Sequence, residues 1–381
     1  MDFSWTDEQI ELQRSVDEFA CAELSGSVVE SDAAGRFDLD GWRKCAAFGI
    51  LGLPIPAAHG GSGADLLTTI LVMETLGRRC KDNGLLFAMN AHMWSAELPL
   101  LVFGTEAQKD KYLGPMCRGE MISGNGSSEP DSGSDVFAMK TSARRRGDSY
   151  VLNGTKMFVT NAPMADVLVI YATLGSQRGI AGLCAFLVEK GFPGYSVGRD
   201  ISKMGLRTSP MAEVILQDCV VPIENRLGPE GAGMAAFNCS MEWERACILA
   251  SCIGAMERQL QECVAYSRAR RQFGKPIGAF QSVSNRITDM KVRVETGRML
   301  LYKIGALLGQ GRRAPLEAAM AKLHISESFV QSCLDAIQIH GGYGYTTEFE
   351  HERMLRDAVA SRLYSGTSEI QRNIIARHMG L

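Results

Sequence analysis

The sequence predicts an α+β multidomain protein: an N-terminal α-helical domain, a middle antiparallel β domain and a four-helix-bundle-like C-terminal domain. Three observations carry this. Apolar residues recur at helical spacing over the first 118 or so positions. From about residue 119 the texture changes to short β-branched or alternating runs separated by turn signals. From about residue 231 long helical segments return and continue to the end. The expected domains are 1–118, 119–228 and 229–381.

In the first domain, Thr6 is a candidate N-cap, with Asp7 and Glu8 in the first turn and Ile10, Leu12, Val16 and Phe19 following at roughly helical spacing. Asp65 can cap a helix carrying Leu66, Leu67, Ile70, Leu71, Met73 and Leu76. Pro54-Ile55-Pro56 and His59-Gly60-Gly61-Ser62-Gly63 are loop chemistry. The middle domain contains Ser149–Leu152, Val167–Tyr171, Cys184–Val188 and Glu213–Leu216 as strands, with turns at Asn153-Gly154 and Phe192-Pro193-Gly194. The Arg144-Arg145-Arg146 run reads as the solvated tip of a hairpin. Helices are expected over about 232–270, 279–309, 314–340, 349–362 and 367–378.

At 381 residues, 46% hydrophobic and 22% charged, the chain has an ordinary globular composition. Lys+Arg 40 against Asp+Glu 43 gives a net charge of -3, which offers no electrostatic footprint for nucleic acid or an anionic membrane. The eleven cysteines are scattered with no Cys-x-x-Cys pair, the pattern of reduced thiols in a cytoplasmic protein. The N-terminal Met1–Glu8 stretch lacks the basic and apolar regions of a signal peptide. No apolar run of about 18 residues, the length of a membrane span, is evident. None of the six histidines stands in a ligand-spaced pair, so no metal is implied.

Two motifs are decoys. Gly194-Tyr195-Ser196-Val197-Gly198 matches a nucleophile elbow, but loop and strand follow it where a helix is required. Gly228–Gly233 is glycine-rich without the spacing or strand–turn–helix context of a dinucleotide fingerprint. Three other stretches can carry a ligand. Gly124–Asp135 gathers glycines and hydroxyls whose exposed N–H groups suit a flat polar ring or phosphates, and equally suit a plain turn cluster. Phe158 and Thr160 share one strand face, so the ring can cover a flat ligand while the hydroxyl bonds its edge; a core Phe and a strand-end Thr fit as well. Arg268–Pro276 ends a helix with cations, which the helix dipole favours in any case and which also offers Arg270 to a pyrophosphate.

Near the C-terminus, Arg362–Gln371 places Tyr364-Ser365-Gly366-Thr367-Ser368 where a helix begins, a setting suited to holding an anion. Six matches stand in register along the chain: Ser128–Asp135, Met157–Asn161, Arg270–Ile277 with Phe280-Gln281, Gln338–Tyr345, Met354–Ala358 and Gly366–Gln371. On these the chain resembles the acyl-CoA dehydrogenase family over essentially its whole length. The resemblance implies FAD bound between the β domain and the C-terminal bundle. Gly126, Ser127, Ser128, Gly133 and Ser134 would line the flavin and its ribityl–phosphate side, Phe158 would lie against the isoalloxazine, and Thr160 would sit near N5. Arg270, Phe273, Gln281, Gln338 and Gly342 would reach the cofactor of a neighbouring subunit, with Thr367 and Glu369 also on the dinucleotide. A homotetramer built as a dimer of dimers follows from that arrangement.

The implied chemistry is α,β-dehydrogenation of an acyl thioester. A carboxylate takes the α-proton, a hydride leaves for flavin N5, and donors polarise the carbonyl. Many members carry the carboxylate just before the Gly-Thr, where this chain has Ser365. A serine hydroxyl is no substitute. Glu244 is the candidate base: it lies in line with Ile248 and Cys252 on a helix that is apolar nearly all round, a face that predicts burial. From the residues alone a structural ion pair with Arg245 or a distant cation is equally open. The Glu244-Arg245 pair is similar to that of a family subgroup, including isovaleryl- and long-chain-type members, which keeps its base on this helix. Ser365 would then contribute only its backbone N–H to the thioester carbonyl. Glu242 is expected in a substrate channel or at the surface.

Ser134, Trp243, Arg245 and Tyr364 are the candidate substrate contacts. An acyl-CoA is the first substrate expectation. A prolyl or similar aminoacyl group on a peptidyl carrier protein is the second, since Trp243 beside the base would narrow the pocket if it does more than pack. An FAD-binding homologue without catalysis is the third. The electron acceptor is either an electron-transferring flavoprotein or O₂.

Overall fold

The computed structural model describes residues 4–381; Met1–Phe3 of the acidic N-terminal stretch lie outside it. Helix α1 (Asp7–Glu23) opens on the expected cap. The Thr6 hydroxyl accepts from Gln9 N–H at 3.2 Å while the Gln9 side chain accepts from Thr6 N–H at 3.1 Å, a reciprocal capping box. Helices α2 (Val29–Ala34), α3 (Leu39–Phe48) and α4 (Leu66–Arg79) follow, and Asp65 caps α4 through Thr68 N–H at 2.7 Å. Then come α5 (Asn83–His92), a π-helical turn (Met93–Glu97), α6 (Leu98–Phe103) and α7 (Glu106–Cys117). The stretch Asn83–Phe103 is, contrary to the sequence expectation, long and apolar enough to cross a membrane by length and composition. Its most apolar window is 78% buried inside the protein, which identifies it as core.

The middle sheet has eight strands: β1 (Ser123–Gly126), β2 (Ser142–Arg146), β3 (Ser149–Thr160), β4 (Val167–Thr173), β5 (Leu183–Glu189), β6 (Tyr195–Asp200), β7 (Met211–Pro222) and β8 (Arg226–Leu227). Their order is β6-β7-β3-β2-β4-β5-β8, with β1 pairing parallel to β4 and the other long ladders antiparallel. β4 and β5 are buried along nearly their whole length because helices cover the face opposite the second sheet core. The register of β3 on β7 slips between Lys156 and Val159, and Phe158 within that bulge has φ +58°.

The last third holds α8 (Gly233–Ala269), α9 (Gln281–Gly309), α10 (Pro315–His340), α11 (His351–Ala360) and α12 (Ser368–His378). α8 is the axis of the molecule, packing on α4, α9 and α10 and reaching the sheet at β5. It passes α4 so closely that a Cβ on Gly77 would lie 2.1 Å from the Ser251 carbonyl oxygen. One on Gly254 would lie 2.0 Å from that of Glu74. Only glycine fits either position. Arg258, buried on α8, donates to the Gly77 and Cys80 carbonyls at 2.6 and 2.7 Å and so terminates α4.

The loop from β1 towards β2 is anchored by a buried ion pair. Lys156 Nζ donates to Glu129 Oε1 at 2.8 Å, and Glu129 also accepts from the N–H groups of Lys140 and Thr141 at 2.6 and 2.9 Å. Burial alone would raise the Glu129 pKa; the Lys156 ammonium and these donors outweigh it and hold the carboxyl below its ordinary range. Lys156→Met leaves that carboxylate buried without its cation. A loss of about 3–5 kcal/mol in denaturant unfolding is expected, largely recovered in Lys156→Met/Glu129→Gln. A single variant as stable as the parent would contradict this account.

Candidate active site

Twelve residues into α8, Glu244 points from the helix towards the connection between α11 and α12. Its Oε1 accepts from the Ser365 hydroxyl at 2.5 Å, and its Oε2 is sealed from solvent with no hydrogen-bond partner. Burial raises the Glu244 pKa, opposed by the Ser365 hydrogen bond and by the charge of Arg245. The ion pair with Arg245 that composition allowed does not form. Arg245 Nε donates instead to the Ser365 carbonyl oxygen at 3.1 Å.

Gln371 Nε2 joins Arg245 on the Ser365 carbonyl at 3.2 Å and takes the Gly366 carbonyl at 2.8 Å. Held this way, Ser365 adopts φ +53°, a left-handed conformation unusual for a residue with a side chain. Among the described residues no group accepts from the Ser365 N–H. Thr367 spends its hydroxyl on capping α12, accepting from Ile370 N–H at 3.3 Å, and Glu369 is exposed in the first turn. Glu242 is only 9% exposed and accepts from Arg313 Nη2 at 2.7 Å, so it is already paired and is not a free surface carboxylate.

Aromatic side chains pack around Glu244. Trp243 lies 6.0 Å from Trp94 of the π-helical turn, ring centre to ring centre. Tyr364 packs 4.8 Å from Phe87, and its hydroxyl is 3.6 Å from Cys252 Sγ. Beside it lies a cavity of about 30 Å³ bounded by Tyr364, Cys252, Ile248, Phe87, Asn90 and Asp357, room for a water or two. From the sheet side, Tyr171 of β4 meets Phe237 edge-on at 5.6 Å, and Phe237 stands seven positions before Glu244 on the same face of α8. The Tyr171 hydroxyl is buried without a partner. Burial first, and the Glu244 charge second, push its pKa up.

Of the expected flavin residues, Ser128, just after β1, lies beside Met157 of β3. Met157 N–H donates to the Ser128 carbonyl at 2.9 Å, and a Cβ on Gly124 would lie 2.5 Å from the Thr160 carbonyl oxygen, so the two strand ends are in contact. Gly126 is buried, Ser127, Ser128 and Thr160 are half-buried, and Gly133 and Ser134 are exposed. Phe158 is 59% exposed, an apolar ring turned out of the sheet by the β3 bulge. A large exposed ring in a strained backbone conformation offers an apolar face that a flat heteroaromatic cofactor could cover.

The remaining cofactor residues stand elsewhere. Arg270 and Gly342, with Gln272, Tyr266 and Tyr343, line a cavity of about 420 Å³ at the far end of α8 and α10. Phe273 beside it is 92% exposed, and Gln281 and Gln338 are exposed on neighbouring helix ends. The structure thus brings Glu244, Arg245, Trp243, Tyr364 and Ser365 together and separates Arg270 and its group from them. The side-chain role of Ser365 and the presence of Tyr171 escaped sequence reasoning. Tyr171 stands in an apolar strand with nothing to mark it, and the Ser365 side chain was visible only as the place where a carboxylate is missing, its expected part being the backbone N–H.

Models of the acyl-CoA dehydrogenase N-terminal, middle and C-terminal domains match residues 6–120, 124–219 and 231–380. The chain is 43% identical to an L-prolyl-[peptidyl-carrier protein] dehydrogenase of Serratia sp., covering 100% of this chain and 99% of that one. Among solved structures, the prolyl acyl carrier protein oxidase AnaB superposes with a TM-score of 0.98 at 50% identity, over 99% of this chain and 100% of that one. PigA with FAD and proline superposes with a TM-score of 0.98 at 42% identity over 100% of both chains. The chain belongs to the acyl-CoA dehydrogenase family.

Proposed function

We propose that the protein is an FAD-dependent dehydrogenase of an acyl thioester, and that its substrate is a prolyl group carried on a peptidyl carrier protein. The observation that carries the chemistry is the Glu244 carboxylate: sealed at Oε2, raised in pKa, and beside a loop whose Ser365 N–H is unclaimed. Likeness to the Serratia dehydrogenase, AnaB and PigA supports the choice of substrate over an acyl-CoA. The Trp94–Trp243 wall is consistent with a compact ring in place of a long chain.

FAD supplies the hydride acceptor. The exposed face of Phe158, the hydroxyls of Ser127, Ser128 and Thr160, and the open position at Gly133 would hold its flavin half. Glu244 takes the α-proton of the thioester, for which a raised carboxyl pKa is suited near neutral pH. The Ser365 N–H donates to the thioester carbonyl oxygen as negative charge develops there. Loss of the α-proton and the β-hydride leaves an α,β-unsaturated thioester. The electrons pass on to an electron-transferring flavoprotein or to O₂.

Arg270 follows Glu244 by 26 positions, almost all of them within α8. At 1.5 Å per residue that is about 39 Å, longer than an extended flavin dinucleotide. This supports a cofactor site shared between copies, in which Arg270, Phe273, Gln281, Gln338 and Gly342 serve a neighbour's FAD in a homotetramer. Eleven free thiols support a reducing, cytoplasmic setting.

Three outcomes are expected. Glu244→Gln keeps the flavin spectrum and loses turnover by about 10²–10⁴-fold; unchanged turnover would remove Glu244 as the base. Since the base acts deprotonated and burial raises its pKa, kcat/KM falls as pH drops through a value above that of an ordinary glutamate. An acid limb at or below the ordinary value would contradict the buried site. In anaerobic mixing, prolyl-carrier protein bleaches the flavin promptly while medium and branched acyl-CoAs do not. Prompt bleaching by an acyl-CoA would overturn the carrier-protein reading.

A further inference from the structure

Ser365 stands in the position where many relatives keep their carboxylate, and its side chain has a task of its own. We propose that the Ser365 hydroxyl is the positioning residue for the base: it fixes Oε1 of Glu244 and leaves Oε2 as the oxygen that receives the substrate proton. The inference rests on the reading of Glu244 as base and adds the group that orients it and the atom that reacts.

The geometry supports it from both sides of the contact. Ser365 Oγ reaches Oε1 at 2.5 Å, while Oε2 has no partner and no access to solvent. An ionised carboxylate with one oxygen bonded and one bare keeps the lone pairs of the bare oxygen free to accept a proton. The serine is itself fixed. Arg245 and Gln371 both grip its carbonyl, which stabilises the φ of +53°, and the hydroxyl donates to Glu244 Oε1. Without those two donors the residue would be free to relax, since a left-handed conformation is costly for anything but glycine.

The charged and titratable groups facing Glu244 come from every side. Arg245 on α8 acts to lower its pKa, while Tyr171 on β4 and Tyr364 on the loop are neutral neighbours whose own pKa values rise in part because of its charge. Beyond Arg245 stand Glu242 and the buried, unpartnered Lys322. The Ser365 hydroxyl is the one group among the described residues that hydrogen-bonds the carboxylate. In the proposed reaction the Cα–H bond breaks, its proton bonding to Oε2 and its electron pair forming the Cα=Cβ bond, while the Cβ–H pair would leave as hydride to a bound flavin, so charge and electrons balance.

The test uses FAD-loaded protein in two variants that remove the hydroxyl: Ser365→Ala, and Ser365→Gly, which tolerates the left-handed backbone. The Glu244 titration is read from pH-dependent infrared carboxyl absorption after subtraction of the Glu244→Gln spectrum, and the acid limb of kcat/KM is measured beside it. Removing one hydrogen bond to the ionised form shifts both upward by about one pH unit in both variants. An infrared titration that stays in place in Ser365→Gly overturns the proposal. So does a shift in Ser365→Ala alone, which would trace the effect to backbone strain. If the infrared titration moves and the acid limb does not, Glu244 is not the base, and the reading beneath the proposal fails while the hydrogen bond stands.

Discussion

A carboxylate with one oxygen sealed from water and without a partner is the constraint on which the region around Glu244 depends. Glu244 can sit where it does because α8 is buried on nearly every side, and α8 can be buried that deeply because Gly77 and Gly254 let it press against α4. Burial on that scale penalises the ionised form, and neighbouring groups offset part of the penalty. Arg245 does so through its charge, without touching the carboxylate, and Ser365 does so through one hydrogen bond. The result is a carboxylate that is neither fully paired, which would silence it as a base, nor left wholly bare. Its second oxygen remains open to chemistry.

The same division between anchored and exposed groups recurs at the sheet. Glu129 and Lys156 are fully used by one another and by the backbone, and they fix the loop that carries Ser127, Ser128 and Ser134. Phe158, two residues from Lys156, is left uncovered by the bulge. An exposed ring costs about 25 cal/mol for each Å² of apolar surface left in water, and a bound flavin would recover that cost. Rigid support beneath an unsatisfied face is what a preformed cofactor site requires.

How much of this was legible in the sequence varied with the range of the interaction. Thr6 and Asp65 declared themselves as caps because capping is settled within four residues. The long C-terminal helices and the face of Glu244 were legible because a 3.6-residue period is local too. The stretch Asn83–Phe103 misled the search for apolar runs, since its charge-poor core character emerges only when a short helix, a π-helical turn and another helix are read as one segment. The bulge at Phe158 depends on pairing with a strand more than fifty residues away, and Tyr171 becomes a neighbour of Glu244 only when β4 docks on α8. Neither is a property of its own window of sequence.

Ser365 is the instructive case. Read against its relatives it was a gap, a position where a carboxylate had gone and only the backbone N–H remained to matter. In the folded chain it stands opposite the carboxylate that α8 supplies, and a small hydroxyl is what the space then admits. A glutamate there would set two like charges together in a buried chamber, and one of them would have to be protonated. A hydroxyl donates where a second carboxylate would repel. On the proposed reading of Glu244, the place of the base and the identity of residue 365 are one change: with the carboxylate on α8, position 365 favours a donor.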